Sequence, residues 1–553
     1  MPVIEVKLED FNKLLQKDLT IEYLEEKLPM LGPAWEGKTE DSFSIDVTPN
    51  RPDLLSIEGL ARAFSSFIDL RTGLQSYTAK PSDYVLNVDS RVTGIRPVML
   101  SAVVKGISFT DDLIRSLIQM QEKLHITHSR KRRKASIGLH NLDPIKFPVT
   151  YTTKPKRFRF IPLDETHEMS LEEILTTLPK GIEYGWILEG KEEYPILMDS
   201  KGMVLSMPPI INSVHTRIDE DTTDIFIDVT GTDEKTVGEV LNILVTTLAD
   251  RGACIYKVQN RYTDRIIETP NLGSTKMSLD PHYVNNLLGL NLTKHEIIQY
   301  LERMGFSATD REELEVNVPC YRTDMMHPMD LVEDVAIAYG YDIFQPEIPK
   351  ISTIGTENPL EVFSRQLRSF LIGFNLVETI TFILSNKNKL FQRMCLKEEP
   401  IAETENPKTE EYCVMRNWLI PSLVEVLQNN RHHPYPQSFY EVGDVVVLDP
   451  EDDTGARTMK RLAIVLSHAK TSLSEIKALT ESTLRNLGLQ GWSTHQETHS
   501  SFIEGRCFKI QVKDRTLCFG GEIRPEVLEN WSLEMPVAAL EMDINMLFDI
   551  VDH

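Results

Sequence analysis

A strand–turn–helix pattern that occurs twice is the feature that most constrains the fold of this chain. In the second copy, residues 314–318 alternate apolar and polar side chains, Pro319 ends the strand, and a helix begins near Pro328. The first copy occupies residues 43–64, and both turns contain the sequence Arg-x-Asp. This repetition predicts a diverged internal repeat of one small module. The first copy keeps only two of its acids, which predicts a structural role for it.

Four carboxylates gather in the second copy. Asp324 lies in the turn, and Asp330, Glu333 and Asp334 share one face of the following helix because of their spacing. Two interpretations remain open from the residues alone. The acids form either a solvated face near a helix N-terminus, where the helix dipole stabilises them, or a cation site. Oxygen ligands without His or Cys favour magnesium over zinc.

The length of 553 residues is too great for a single hydrophobic core. Mixed strands and helices predict a multidomain α+β protein, with small strand–turn–helix modules in its first part and antiparallel strands with flanking helices in its last part. The predicted domains are 1–85, a structural module; 86–262, an α+β domain; 264–345, the acid-cluster module; and 351–553, the C-terminal domain.

Charge and composition limit the partners of the chain. A net charge of −24 argues against non-specific coating of nucleic acid. The basic run from Arg130 to Lys134 is either a solvated loop or a local RNA contact. No apolar run is long enough to cross a membrane and no signal peptide is present, so we expect a cytoplasmic protein without a membrane partner. Six scattered cysteines suggest neither disulfides nor zinc.

Several short motifs follow one another along the whole chain in a recognisable order. They include Val47-Thr48-Pro49-Asn50-Arg51-Pro52-Asp53, Val318-Pro319-Cys320-Tyr321-Arg322-Thr323-Asp324, Phe439-Tyr440-Glu441-Val442-Gly443 and Gly521-Glu522-Ile523-Arg524-Pro525. Together they make the chain similar to the phenylalanyl-tRNA synthetase beta subunit family. The layout resembles the shorter archaeal and eukaryotic cytosolic type.

This resemblance implies a subunit of phenylalanine–tRNA ligase, which attaches phenylalanine to tRNA(Phe) with ATP through phenylalanyl-adenylate. It implies an alpha subunit that carries the aminoacylation site, in an (αβ)2 heterotetramer. The beta subunit then supplies scaffold, tRNA contacts and hydrolytic editing of Tyr-tRNA(Phe). The alternative is a structural scaffold without editing activity.

The resemblance also assigns roles to particular residues. It makes Asp324, Asp330, Glu333 and Asp334 magnesium ligands, although the family has Glu where this chain has Asp334. It makes residues 351–553 a class II synthetase catalytic-like domain. We expect this domain to be inactive in adenylation, because it lacks an arginine-bearing ATP motif.

Residues 86–262 resemble the editing module of the family. Asp228 and Thr230 alternate on one face of a predicted strand, so both can address one ligand, and Ser213 lies in a nearby turn. We expect these three residues to bind the substrate of a water-mediated hydrolysis. The alternative is that Asp228 and Thr230 cap a helix and Ser213 completes a turn. His140 is either an acid/base group or a packing residue.

Overall fold

The computed structural model of the chain describes residues 2–551, which divide into two compact units between Ile348 and Pro349. This boundary falls in the gap between the predicted domains 264–345 and 351–553. Within the first unit, one continuous apolar core includes Ile4, Val104 and Ala338. The first three predicted domains therefore share a core, and their individual bounds stay predictions.

The N-terminal module contains three strands and three helices. They are β1 (Val3–Lys7), α1 (Leu8–Leu15), α2 (Ile21–Lys27), β2 (Ala34–Lys38), β3 (Ser42–Asp46) and α3 (Ile57–Phe67). The strands form an antiparallel sheet in the order β1-β3-β2. Helix α3 begins where the Ser56 hydroxyl accepts a hydrogen bond from the Gly59 backbone N–H.

The middle of the first unit is an α+β domain around a large mixed sheet. Its strands are β4 (Ala79–Lys80), β5 (Val85–Val88), β6 (Val98–Lys105), β7 (Ala135–Asn141), β8 (Val149–Pro155), β9 (Arg159–Phe160), β10 (Met169–Ser170), β11 (Glu193–Met198), β12 (Val204–Met207), β13 (Ile211–Asn212), β14 (Asp224–Gly231), β15 (Cys254–Arg261) and β16 (Ile266–Thr269). Its helices are α4 (Asp111–Ile126), α5 (Leu171–Thr177), α6 (Pro179–Tyr184) and α7 (Glu234–Asp250). The main path through the sheet runs β13-β12-β11-β8-β5-β15-β6-β14-β7.

Strand β14 positions the residues of the candidate site. It pairs antiparallel with β6 and β7, which sets Asp228 opposite Gly138 and Thr230 opposite Ser136. Its Ile227 joins the same apolar core as α4 and α7. Because side chains alternate along a strand, Asp228 and Thr230 lie on the opposite face of the sheet.

The acid-rich module repeats the architecture of the N-terminal module. Its elements are β17 (Thr275–Leu279), α8 (Pro281–Leu288), α9 (Lys294–Arg303), β18 (Ser307–Thr309), β19 (Leu314–Val318) and α10 (Pro328–Tyr339). Both modules therefore have the order strand, helix, helix, strand, strand, helix. Their sheets also match, since β17-β19-β18 is the counterpart of β1-β3-β2. The internal repeat is larger than the strand–turn–helix unit that the sequence suggested.

The second unit contains nine strands in its described residues 349–551, and seven of them form one sheet. Its strands are β20 (Val377–Glu378), β21 (Leu384–Ser385), β22 (Val414–Met415), β23 (Gln437–Leu448), β24 (Ala456–Ser467), β25 (Ser493–Gln496), β26 (Phe502–Val512), β27 (Arg515–Ile523) and β28 (Val537–Asp543). Its helices are α11 (Pro359–Gly373), α12 (Ile420–Asn429), α13 (Leu473–Asn486), α14 (Pro525–Asn530) and α15 (Ile544–Val551). The order β20-β23-β24-β28-β27-β26-β25 is antiparallel except at the short β20, and β21 pairs separately with β22.

Apolar clusters contain residues that alternate along strand β24 of this sheet. Leu462 and Ile464 belong to the cluster with α11, α13 and α15, whereas Ala463 and Val465 belong to the cluster with α12. Both faces of β24 are therefore packed. Across residues 2–551, none of the helices has the length and apolar character that crossing a lipid bilayer requires.

Candidate functional site

A cavity of about 320 Å³ opens beside strands β7 and β14. The residues that matter for its chemistry are Arg132, Ser136, Gly138, Ser206, Asn212 and Asp228. The Ser206 hydroxyl is buried and has no hydrogen-bond partner among the described residues. Such an unpaired group in a cavity wall is a ready contact for a polar ligand.

Asp228 is the buried carboxylate in the wall of this cavity, which Glu122 and Asp164 also line, and His140 holds it in place. Its Oδ1 lies 2.7 Å from Nε2 of His140, whose Nδ1 lies 2.8 Å from the Thr216 hydroxyl. A carboxylate accepts, so Nε2 donates to Asp228. His140 therefore lies behind the carboxylate and orients it toward the cavity.

Gly138 makes this arrangement possible. A Cβ atom at this position would lie 2.1 Å from Oδ1 of Asp228 and 2.9 Å from Nε2 of His140. No real contact is that short, so any side chain here would displace the carboxylate. The glycine is needed for close approach and belongs to the site as much as the acid does.

Thr230 and Ser213 lie in different surroundings from Asp228. The Thr230 hydroxyl is fully buried, and it lies 3.0 Å from Nε of Arg96 and 2.8 Å from the Ser136 hydroxyl. Ser213 donates to the Ile161 carbonyl oxygen and caps a short turn. Of the three expected residues, only Asp228 lines the cavity. Thr230 is separated from the cavity by its hydrogen bond to Ser136. This geometry does not support a direct substrate contact from Ser213.

Arg132 joins the basic run to the opposite wall of the cavity. Arg130 and Lys131 are exposed, as the solvated-loop interpretation expected, but the Arg132 side chain is buried. Its Nη1 donates to the carbonyl oxygens of Pro209 and Ile210, at 2.9 Å each. Sequence reasoning missed this role. It also missed Ser136 and Gly138, although their period-2 spacing with His140 was a usable signal.

Arg322 lies at the centre of the acid cluster. Its Nε and Nη2 donate to the two oxygens of Asp324 at 2.9 and 2.8 Å, and Nη2 also donates to Asp334 at 2.7 Å. Burial raises the pKa of Asp334, although the charges of Arg322 and Arg51 lower it. Burial also raises the pKa of Asp324, but the charges of Arg322 and Arg51 lower it more, so this pKa falls below its usual range.

The N-terminal module contains the matching pair. Arg51 donates to the two oxygens of Asp53 at 2.9 and 2.8 Å, the same distances as in the second copy. The charge of Arg51 also lowers the pKa of Asp324 and Asp334 in the other module. The two Arg-x-Asp turns therefore interact electrostatically.

Three of the four expected magnesium ligands already have hydrogen-bond partners within the protein. Asp324 and Asp334 are occupied by Arg322, and Oδ2 of Asp330 accepts hydrogen bonds from the backbone N–H groups of Met326 and His327. The unpartnered buried atom here is Nη1 of Arg322, a donor that repels a cation. Residues 2–551 contain no group of three or more His, Cys, Asp or Glu side chains arranged to hold a metal. That Asp324, Asp330, Glu333 and Asp334 hold one magnesium ion stays a prediction.

Three family models match the sequence. They are the B3/4 domain at residues 75–243, the tRNA synthetase B5 domain at residues 277–341 and the phenylalanyl tRNA synthetase beta chain CLM domain at residues 345–544. The phenylalanine–tRNA ligase beta subunit of Archaeoglobus fulgidus is 41% identical over 553 residues, which cover 99% of each chain. That of Methanocella arvoryzae is 38% identical and covers 99% of this chain and 100% of its own.

The chain belongs to the phenylalanine–tRNA ligase beta subunit family.

A solved structure supports this assignment. The crystal structure of an N-terminal fragment of the phenylalanyl-tRNA synthetase beta subunit from Pyrococcus horikoshii matches with a TM-score of 0.59 and 38% identity, covering 61% of this chain and 99% of the fragment. The predicted family is thus confirmed, and the chain is a subunit of phenylalanine–tRNA ligase. The cavity with Asp228 lies in the region that the B3/4 model matches, and Arg322 lies in the B5 region.

In this beta subunit, the CLM region holds its own buried arginine. Nη2 of Arg416 donates to Glu441 at 2.7 Å, Nη1 to the Thr381 hydroxyl and Nε to the backbone oxygen of Asp444. All three nitrogens of this guanidinium are engaged by protein. Arg416 therefore offers no free charge to a nucleotide.

Replacing Gly138 by Ala should displace Asp228 and break its bond to His140. We expect a loss of about 1–3 kcal/mol in the free energy of unfolding, the usual cost of overpacking. Urea-induced unfolding measures this loss. Gly94→Ala is the control, because nothing lies within 4 Å of a Cβ atom there. Equal stability of the two variants would contradict the close approach at Gly138.

Replacing Arg322 by Met should leave Asp324 and Asp334 buried without their partner. We expect a loss of about 3–5 kcal/mol, as for other broken buried ion pairs. Arg311→Met is the control: its ion pair with Glu315 is 61% exposed on the arginine side and should change stability by less than about 1 kcal/mol. Chelation by EDTA should leave the wild-type unfolding curve unchanged. A large destabilisation by EDTA would instead support a structural magnesium ion.

Proposed function

We propose that this beta subunit hydrolyses Tyr-tRNA(Phe) at the Asp228 cavity, within an (αβ)2 complex whose alpha subunit performs aminoacylation. The observation that carries the proposal is a cavity in the B3/4 region with one buried, oriented carboxylate in its wall. Tyrosine differs from phenylalanine by one hydroxyl. An apolar pocket rejects an added hydroxyl only about 100-fold, so a second, hydrolytic site improves accuracy.

Asp228 is placed to accept a proton from the water molecule in this reaction. His140 occupies Oδ1, so the other oxygen is the atom that addresses the cavity. In the proposed step, a water oxygen bonds to the ester carbonyl carbon and the bond from that carbon to the ribose oxygen breaks. The water proton passes through Asp228 to the ribose oxygen. The products are tyrosine and tRNA with a free terminal hydroxyl.

The second unit supports the scaffold part of the proposal. Both faces of strand β24 are packed with apolar side chains, and Arg416 is held by Glu441. We therefore propose that this class II synthetase catalytic-like region performs no adenylation, and that ATP is used at the alpha subunit. The exposed Ile380 (92%) and Phe382 (75%) are apolar side chains that fit a subunit interface.

The deciding variant is Asp228→Asn in the complex with the alpha subunit. We expect hydrolysis of preformed Tyr-tRNA(Phe) to fall by about 100-fold or more, because the amide cannot take up a proton. Aminoacylation should persist, and Phe-tRNA(Phe) should be stable throughout. Release of labelled tyrosine measures the effect.

Asp199→Asn is the matched control. Asp199 is also a buried acid of this domain, but it accepts backbone hydrogen bonds in a turn outside the cavity. Its variant should hydrolyse Tyr-tRNA(Phe) as the wild type does. Unchanged hydrolysis in Asp228→Asn would refute the site. Equal stability of both esters with the wild-type complex would favour the scaffold without editing.

A further inference from the structure

We infer that the Ser136 hydroxyl contacts the substrate, by donating a hydrogen bond to the carbonyl oxygen of the aminoacyl ester, and that Thr230 and Arg96 are its positioning residues. The inference rests on the proposed function, since it assigns a further catalytic residue to the same cavity. It also gives Thr230 a part in the reaction, although Thr230 does not line the cavity itself.

Arg96 is the origin of this chain of hydrogen bonds. Its side chain is among the largest that are fully buried, with 1% of the residue exposed. Its hydrogen bonds go to neutral oxygens only: Nε to the Thr230 hydroxyl, Nη2 to the Thr230 carbonyl and Nη1 to the Arg133 carbonyl. Burial lowers the pKa of Arg96 to about 10, so the group remains charged at neutral pH. Within residues 2–551, no carboxylate is hydrogen-bonded to Arg96, and Asp228 is the carboxylate near enough for its charge to act on this group.

The direction of each proton follows from the donor at Arg96. A guanidinium only donates, so the Thr230 hydroxyl must accept from Nε. The single proton of Thr230 then has one acceptor among the described residues, the Ser136 oxygen at 2.8 Å. Thr230 is fully buried, so its proton would have no partner unless it donates to Ser136. In that arrangement, the proton of Ser136 has no acceptor among the described residues. Ser136 lines the cavity, so this proton is available to a ligand there.

The register of the two strands places this donor beside the carboxylate. Ser136 faces Thr230 across the strand pair, and Gly138 faces Asp228, two residues further along. Diagonal neighbours of this kind are roughly 7–8 Å apart in an antiparallel pair. An ester group placed between them can point its carbonyl oxygen at Ser136 and receive a water molecule held by Asp228.

The position of Ser136 matters because negative charge develops on the carbonyl oxygen of the ester during the reaction. When the water oxygen bonds to the carbonyl carbon, the electron pair of the C=O bond moves onto the carbonyl oxygen. It returns as the bond to the ribose oxygen breaks. A fixed donor stabilises that negative oxygen more than it stabilises the neutral ester. The positive charge of Arg96 polarises the chain Arg96, Thr230, Ser136 in the same direction.

The test compares Ser136→Ala, Thr230→Val and the double variant in the complex with the alpha subunit. We expect each single variant to lower kcat for Tyr-tRNA(Phe) hydrolysis by about 100-fold, the usual effect of losing one such donor, while KM changes less than about twofold. The double variant should be no slower than either single variant, because each of the three variants breaks the same series of hydrogen bonds from Arg96 to the substrate. Thr230→Ser retains the hydroxyl and should restore activity.

Two controls separate chemistry from folding. Ser101→Ala removes a buried serine hydroxyl of the neighbouring strand β6, which bonds to Asn260 and not to the cavity, and it should leave kcat unchanged. Aminoacylation by each variant complex, with its thermal unfolding, reports an intact assembly. This check matters for Thr230→Val, which leaves Nε of Arg96 without its acceptor.

The outcomes distinguish this inference from the proposed function. Wild-type kcat in Ser136→Ala, together with slow hydrolysis in Asp228→Asn, would overturn the role of Ser136 and leave the editing site in place. A higher KM with unchanged kcat, or losses that multiply in the double variant, would also overturn it. If the wild-type complex fails to hydrolyse Tyr-tRNA(Phe), the proposed function itself is wrong.

Discussion

Burial of positive charge is the constraint on which both units of this protein depend. Arg51, Arg96, Arg322 and Arg416 are each less than a tenth exposed. A guanidinium presents five donors in one plane, and removing it from water costs several kcal/mol unless oxygen atoms surround it. Each of these arginines therefore dictates where nearby turns, strand ends and carboxylates must lie. The repeated modules show this most directly, because each uses an Arg-x-Asp turn to bring its own counter-ion.

The kind of partner separates structural arginines from the one that we connect with catalysis. Arg51, Arg322 and Arg416 each bond to a carboxylate, which compensates their charge where it is buried. Arg96 bonds only to neutral oxygens, so its field extends along the hydrogen bonds to Ser136 and into the cavity. In the repeated module, Arg322 supplies the positive charge that the mutual repulsion of Asp324 and Asp334 requires.

The sequence predicted the elements better than it predicted the contacts between them. Strand β19 and helix α10 occur where alternation, Pro319 and Pro328 indicated, because these are local effects. The family, the repeat and the position of Asp228 on a strand were also accessible. The bonds from Arg322 to two acids could not be predicted from the sequence. The spacing places carboxylates on one helix face, but it does not say which cation contacts them. Thr230 was placed on the correct face, but its hydroxyl was taken by Arg96, which lies 134 residues away in sequence.

The two large sheets differ in the side chains that cover their faces. In the first unit, β14 alternates apolar residues toward α7 with Asp228 and Thr230 on the other face, and Gly138 on β7 leaves room for the carboxylate. In the second unit, apolar residues fill both faces of β24, and the charge of Arg416 is balanced inside the protein. At the cavity, Ser206 has no hydrogen-bond partner among the described residues, and the Ser136 hydroxyl is bonded to Thr230. These polar groups in the cavity wall are the strongest structural reason to look for chemistry there.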